Sequence, residues 1–144
     1  MKTNVAKNSR GFTLIEIMVV VAVIALLGAM IGPTLFNKVQ QAEQTRVAQD
    51  IRAIDSALKF YRLDNYRFPT QAQGLEALMS APDSNSANWN GPYLESVPLD
   101  PWGQEYQYIY PSTHGRDFDV YTLGADQSEG GEGADTDWGN WNIQ

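Results

Sequence analysis

The sequence predicts an α+β protein. A long N-terminal helix, membrane-suited in its first half and amphipathic in its second, should pack on a small C-terminal domain containing a short helix and a β-hairpin or small antiparallel sheet. Three observations carry that expectation. The uncharged run from Ile17 to Phe36 matches the about 20 residues needed to cross a hydrocarbon core of roughly 30 Å. Beyond it Val47, Ile51, Ile54, Leu58 and Tyr61 recur at helical spacing, with Arg46, Gln49, Asp50, Arg52, Asp55 and Lys59 between them. Further on, Tyr106, Tyr108 and Tyr110 alternate, "PSTHGR" turns, and Phe118, Val120 and Thr122 alternate again.

The first element is read as one helix from about Phe12 to Leu63. Lys2, Lys7 and Arg10 precede the apolar run and only Lys38 follows soon after, a bias that puts the N-terminus in the cytoplasm and the bulk of the chain outside. A cleaved secretory signal would have a shorter apolar stretch and a small-residue cleavage site; here the polar end, Pro33 to Lys38, has none. A plain signal anchor explains the length but not Glu16, because a carboxylate in hydrocarbon costs roughly 2.5 to 3.5 kcal/mol and calls for a role or a partner. Gly28, Gly32 and Pro33 are the weak positions, where a kink or melted stretch is expected.

A second, short helix is expected after "DNYRFPT": Thr70 and Gln73 fit a capping box, Leu75, Leu78 and Met79 give an apolar face, and Pro82 follows. The stretch "SNSANWNGPYLESVPLDPWGQ" then reads as an ordered loop. Its Pro and Gly mark turns, while Trp89, Tyr93, Leu94, Leu99 and Trp102 are too apolar for a flexible linker. The tyrosine stripe beyond it is read as core under the helix rather than as a platform for bases or sugars.

Composition narrows the function. The chain has no cysteine, which excludes a disulfide framework and a thiolate zinc site. Its single histidine, His114, lies in a turn and is read as a solvated loop residue, so Ser/His and Cys/His catalysis have no basis and an enzyme is not expected. The formal charge is -7, with Asp117, Asp119, Asp126, Glu129, Glu132, Asp135 and Asp137 crowded toward the C-terminal end. Such a surface repels phosphate backbones, and no nucleic-acid partner is expected. On composition alone the acidic segment reads as a solvated tail, and its spacing fails the EF-hand pattern.

The segment "KNSRGFTLIE" closely resembles the processing site of type IV pilins and type II secretion pseudopilins. That resemblance implies removal of a leader, residues 1–11, by a prepilin peptidase cutting between Gly11 and Phe12, followed by N-methylation of Phe12. The new amine would lie four residues from Glu16. An arriving subunit's Glu16 would pair with the amine of a neighbour already in a filament, fixing axial register more than adding stability. The stretches "FPTQAQGLEALM", "NGPYLESVPLDPWGQEYQY", "DVYTLGADQSEGGEGADTD" and "WGNW" resemble the major pseudopilins of type II secretion in particular. Pilins of the surface type commonly close the C-terminal region with a disulfide, which this chain cannot make.

The resemblance implies a leader at 1–11, a transmembrane and filament-core helix at 12–36, and a periplasmic domain at 37–144. The protein would be a single-pass inner-membrane subunit of a homopolymer that pushes folded proteins toward an outer-membrane channel. Minor pseudopilins, an inner-membrane assembly platform and membrane lipid would be its partners. Major pseudopilins bind calcium in the matching loop, which implies ligands at Asp126, Asp135 and Asp137 with the carbonyls of Leu123 and Ser128, Glu132 in reserve. Two alternatives remain at this point: a surface pilin for adhesion or DNA uptake, and a non-polymerising, membrane-anchored calcium-binding domain.

Overall fold

A computed structural model describes residues 11–82 and 87–143, the side chains of Pro33 and Thr34 excepted. The expected leader lies almost wholly outside these residues. The chain forms two compact units, Met1–Lys38 and Val39–Gln144.

Helix α1 spans Leu14–Asn65, 52 residues. In the first unit every large apolar side chain described between Phe12 and Phe36 is exposed. Among the described residues α1 is the one helix long and apolar enough to cross a membrane. The melted stretch expected around Gly28, Gly32 and Pro33 is not seen; α1 is helical through all three. Proline withdraws one N–H from the ladder, and the turns on either side keep theirs. The helix ends at Tyr66, whose φ of 60° turns the chain left-handed while its N–H still bonds the Arg62 carbonyl at 2.8 Å.

In the second unit the predicted face of α1 is the core. Val47, Ile51, Ile54, Leu58 and Tyr61 are all completely buried, together with Leu78 and Val120. Strand β1, Gln107–Ile109, pairs antiparallel with β2, Asp119–Thr122, with Tyr108 opposite Val120. A third strand, β3, Trp138–Gly139, pairs with the far side of β2 and was not foreseen. The alternating residues Tyr106, Tyr108, Phe118, Val120 and Thr122 are buried, as the stripe read as core requires.

The expected short helix is present, as a 3-10 helix rather than an α-helix. Its capping box forms, with Thr70 N–H donating to Gln73 Oε1 (2.9 Å) and Gln73 N–H to Thr70 Oγ1 (3.3 Å). Gly74 then takes φ 56°, ψ -160°, and the chain continues into a single 3-10 turn, Leu75–Leu78. A residue with that backbone cannot continue an α-helix. The first three residues of the aromatic loop, 84–86, lie outside the described residues; from Ala87 on it packs as expected, with Trp89, Tyr93, Leu94 and Trp102 against the core. Leu99 departs from that reading and is 46% exposed; its carbonyl is the part used, accepting from Arg46 Nη2 at 3.0 Å.

Candidate functional site

The N-terminal site begins at Gly11, which is exposed; among the described residues, its chain neighbours apart, no atom lies within 4 Å of the place a Cβ would occupy. Phe12 is 85% exposed. One turn later Glu16 closes a capping box that the sequence reading missed: Thr13 N–H and Thr13 Oγ1 both donate to Glu16 Oε2 at 2.8 Å, and Glu16 N–H donates to Thr13 Oγ1 at 3.3 Å. Two backbone N–H groups that α1 cannot satisfy within its own ladder, those of Thr13 and Glu16, are thereby engaged, and the carboxylate sits at the positive end of the helix. The signal was available in the T-x-x-E spacing, the same spacing that marks Thr70 and Gln73.

The second site is the acidic loop. Leu123, Asp126, Ser128, Glu132, Asp135 and Asp137 share one closed excursion between β2 and β3, drawn together by a hydrogen bond from Ala125 N–H to the Ala134 carbonyl (3.0 Å). Glycine makes this closure possible. A Cβ on Gly124 would lie 2.7 Å from the Ala134 oxygen, and one on Gly131 would lie 2.5 Å from the Asp135 oxygen, at φ values of 69° and 97°. Asp126 Oδ1 accepts from Ser128 N–H at 3.1 Å, and Asp137 Oδ2 accepts from Gly130 N–H at 2.8 Å. The other oxygen, Asp137 Oδ1, is buried and has no hydrogen-bond partner among the described residues. Such an atom loses its solvation without compensation and fits a cation. Among the described residues no three Asp, Glu, His or Cys side chains gather into a group that holds a metal by themselves. Any cation here must draw on backbone carbonyls.

Two buried carboxylates outside this loop organise the sheet. Asp100 accepts from Trp102 N–H, Gln104 N–H and the Thr122 hydroxyl. Asp119, completely buried, accepts from Ser112 Oγ, Thr113 N–H, Thr113 Oγ1 and His114 Nδ1. His114 is therefore more than a solvated loop residue: although exposed, it is held by Asp119 at 3.0 Å and stacks on Trp141 with ring centroids 3.7 Å apart. A carboxylate only accepts, so Nδ1 carries the proton in this contact.

Comparison with known proteins agrees with both ends of the chain. Residues 34–141 match the family model "Type II secretion system (T2SS), protein G", and residues 6–32 match "Prokaryotic N-terminal methylation motif". The chain is 49% identical over 138 residues to the type II secretion system core protein G of Pseudomonas aeruginosa, covering 94% of this chain and 96% of that one. The Vibrio cholerae protein of the same description is 46% identical over 140 residues, covering 96% and 95%. The crystal structure of the major pseudopilin of enterohaemorrhagic Escherichia coli matches with a TM-score of 0.66 at 36% identity, over 77% of this chain and 96% of that one. With a long N-terminal helix, a small antiparallel sheet and a methylation motif in the positions these relatives require, the chain belongs to the protein G family of the type II secretion system, the major pseudopilins, and is a structural subunit of the pseudopilus.

Proposed function

We propose that this subunit polymerises from the inner membrane, N-terminus cytoplasmic and domain 37–144 periplasmic, and acts mechanically rather than catalytically to move folded proteins outward. The observation that carries the reading is Glu16, a carboxylate at the first turn of a helix whose described large apolar side chains from Ile17 to Phe36 are all exposed. Cleavage after Gly11 gives Phe12 a terminal amine, methylated by the processing enzyme, and Glu16 of an incoming subunit pairs with it. Minor pseudopilins and the assembly platform are the further partners. The apolar surface from Ile17 to Phe36 is lipid-facing in the single subunit and subunit-facing in the filament, because lipid tails and leucine-like side chains are equally apolar and packing decides between them.

The test separates insertion from assembly. Glu16→Leu removes a charge from the membrane segment, so insertion should be retained while crosslinked polymer and protein secretion fall; normal polymer and secretion would sink the pairing. Intact mass should show a chain starting at methylated Phe12. Because a side chain at Gly11 meets nothing in this fold, Gly11→Val should leave the folded domain unchanged and block only processing.

The acidic loop is proposed to hold calcium. Asp126, Asp135 and Asp137, which do not gather around one point in this structure, would converge with the carbonyls of Leu123 and Ser128 to supply the oxygen-only ligand set that calcium takes, with Glu132 in reserve. The unpartnered Asp137 Oδ1 supports that reading. The ion would supply charge neutralisation and loop order. At a tenfold excess over Kd it would stabilise the chain by about 1.4 kcal/mol. Calorimetry with calcium and thermal unfolding in calcium against chelator decide it: absence of both binding heat and a Tm difference, in a chain where Asp137→Ala behaves like the parent, would overturn it.

A further inference from the structure

Three carboxamide side chains in the second unit make the same pair of bonds. Gln71 Nε2 donates to the Tyr108 carbonyl at 2.9 Å while its Oε1 accepts from Tyr110 N–H at 2.8 Å. Asn142 Nδ2 donates to the Asp137 carbonyl at 3.0 Å while its Oδ1 accepts from Gly139 N–H at 2.8 Å. Asn140 treats Phe118 and Val120 alike, at 2.9 and 3.3 Å. Each takes one carbonyl and the N–H two residues on, groups that a docked strand would otherwise engage.

The sheet order is β1-β2-β3, so β1 and β3 are its edges. Gln71 closes one edge and Asn142 the other. The β1 edge is the more hazardous. Residues 106–110 read Tyr-Gln-Tyr-Ile-Tyr, with no charge, no proline and strong strand preference, the composition that pairs readily with another chain. Edge strands are usually protected by lysine, proline or a bulge, and β1 contains neither residue.

We propose that Gln71 is an edge clasp that denies β1 to the β1 strand of a second copy. The geometry names the contact it prevents. Gln107 and Ile109 face β2, in register with Tyr121 and Asp119, so Tyr108 and Tyr110 present the outward groups. Two β1 edges meeting antiparallel about a two-fold axis at Ile109 would exchange Tyr110 N–H to Tyr108 carbonyl bonds in both directions, with Ile109 opposite Ile109. Those are the groups that Gln71 occupies. A second copy is the relevant occupant because a filament subunit is held among its own copies, and the contact is self-complementary. This goes beyond the assembly reading, since it concerns a contact that the subunit avoids.

The chain has no cysteine, so a single reporter is clean. Full-length protein in detergent micelles carrying Ile109→Cys is exposed to copper phenanthroline in air, with and without Gln71→Met, a change that keeps the length of the side chain but not its hydrogen bonds. Removal of the clasp should raise the yield of disulfide-linked dimer about tenfold, the worth of two backbone hydrogen bonds, and should speed amide exchange at Tyr110 in dilute protein. Equal dimer yields with unchanged Tyr110 exchange would overturn the proposal. Should the Met variant fail to fold, Gln71→Asn, one methylene too short to reach both groups, is read for the same two outcomes.

Discussion

Acid should loosen the connection between β1 and β2 at Asp119. The carboxylate is completely buried and collects donors from Ser112, Thr113 and His114, the last three contacts at 2.8 Å, 2.9 Å and 3.0 Å. Burial alone would push its carboxyl up; hydrogen bonds from Ser112, His114 and Thr113 outweigh that and hold it at about 2. The folded value thus lies below the ordinary aspartate value of about 3.9. Stabilisation from this group is fully present above the unfolded value and is lost as pH falls from about 4 through about 2, with a magnitude of about 2 kcal/mol. Urea unfolding of the fragment beginning at Val39, followed from pH 6 to pH 2 for the parent and for Asp119→Asn, isolates it. The variant should be less stable at pH 6, because its amide N–H₂ meets donors, and its stability should fall by about 2 kcal/mol less across the acid window. Parallel pH curves would show that Asp119 titrates as an ordinary carboxylate.

Three further substitutions test the packing. Tyr61 is completely buried and its hydroxyl has no partner, so Tyr61→Phe should raise stability by about 1 kcal/mol in urea; a loss of that size would reveal a bound water. Thr70→Ala removes the hydroxyl that shares Gln73 N–H with the Thr70 carbonyl, at 3.3 and 3.0 Å, and should cost about 0.5 kcal/mol, the low end for a cap, whereas an unchanged midpoint would mean the carbonyl alone suffices. Gly124→Ala places a methyl 2.7 Å from the Ala134 oxygen at φ 69° and should cost about 1 to 3 kcal/mol. Its unfolding midpoint matching the parent's would refute the tight closure of the acidic loop.

Periodicity made the long elements legible. A helix buried on one side must repeat apolar residues every three or four positions, and all five residues picked on that rule, Val47 to Tyr61, have zero exposure. The alternation that placed Tyr108 and Val120 on one face likewise survives in their pairing. Where the fold rests on side chain to backbone bonds, the pattern is silent. Strand β3 is two residues long and is held by Asn140 and Asn142, whose carboxamides carry no periodic signal. The short helix foreseen after Thr70 is there, but Gly74 separates it from its capping box and it is a single 3-10 turn, because a capping box marks a start and not a length. Asp100 was invisible because its partner Thr122 is far along the chain. The candidate sites were legible as motifs, Gly11 to Glu16 and Leu123 to Asp137, while the donor set of Thr13 and the solitary buried oxygen of Asp137 depend on torsions that spacing does not fix.

The box formed by Thr13 and Glu16 bears on how firmly one subunit can be bound to the next. A carboxylate that already accepts two hydrogen bonds from its own chain is not an empty socket. Both bonds fall on Oε2, so a cation arriving at Oε1 would share the carboxylate with Thr13, and the contact would contribute less than an ion pair made to a bare charge. A contact weakened by sharing is one that forms and parts readily. On the assembly proposed above, a polymer registered by such a contact would take its directionality from whatever drives addition at its base and would return subunits to the bilayer when that drive stops.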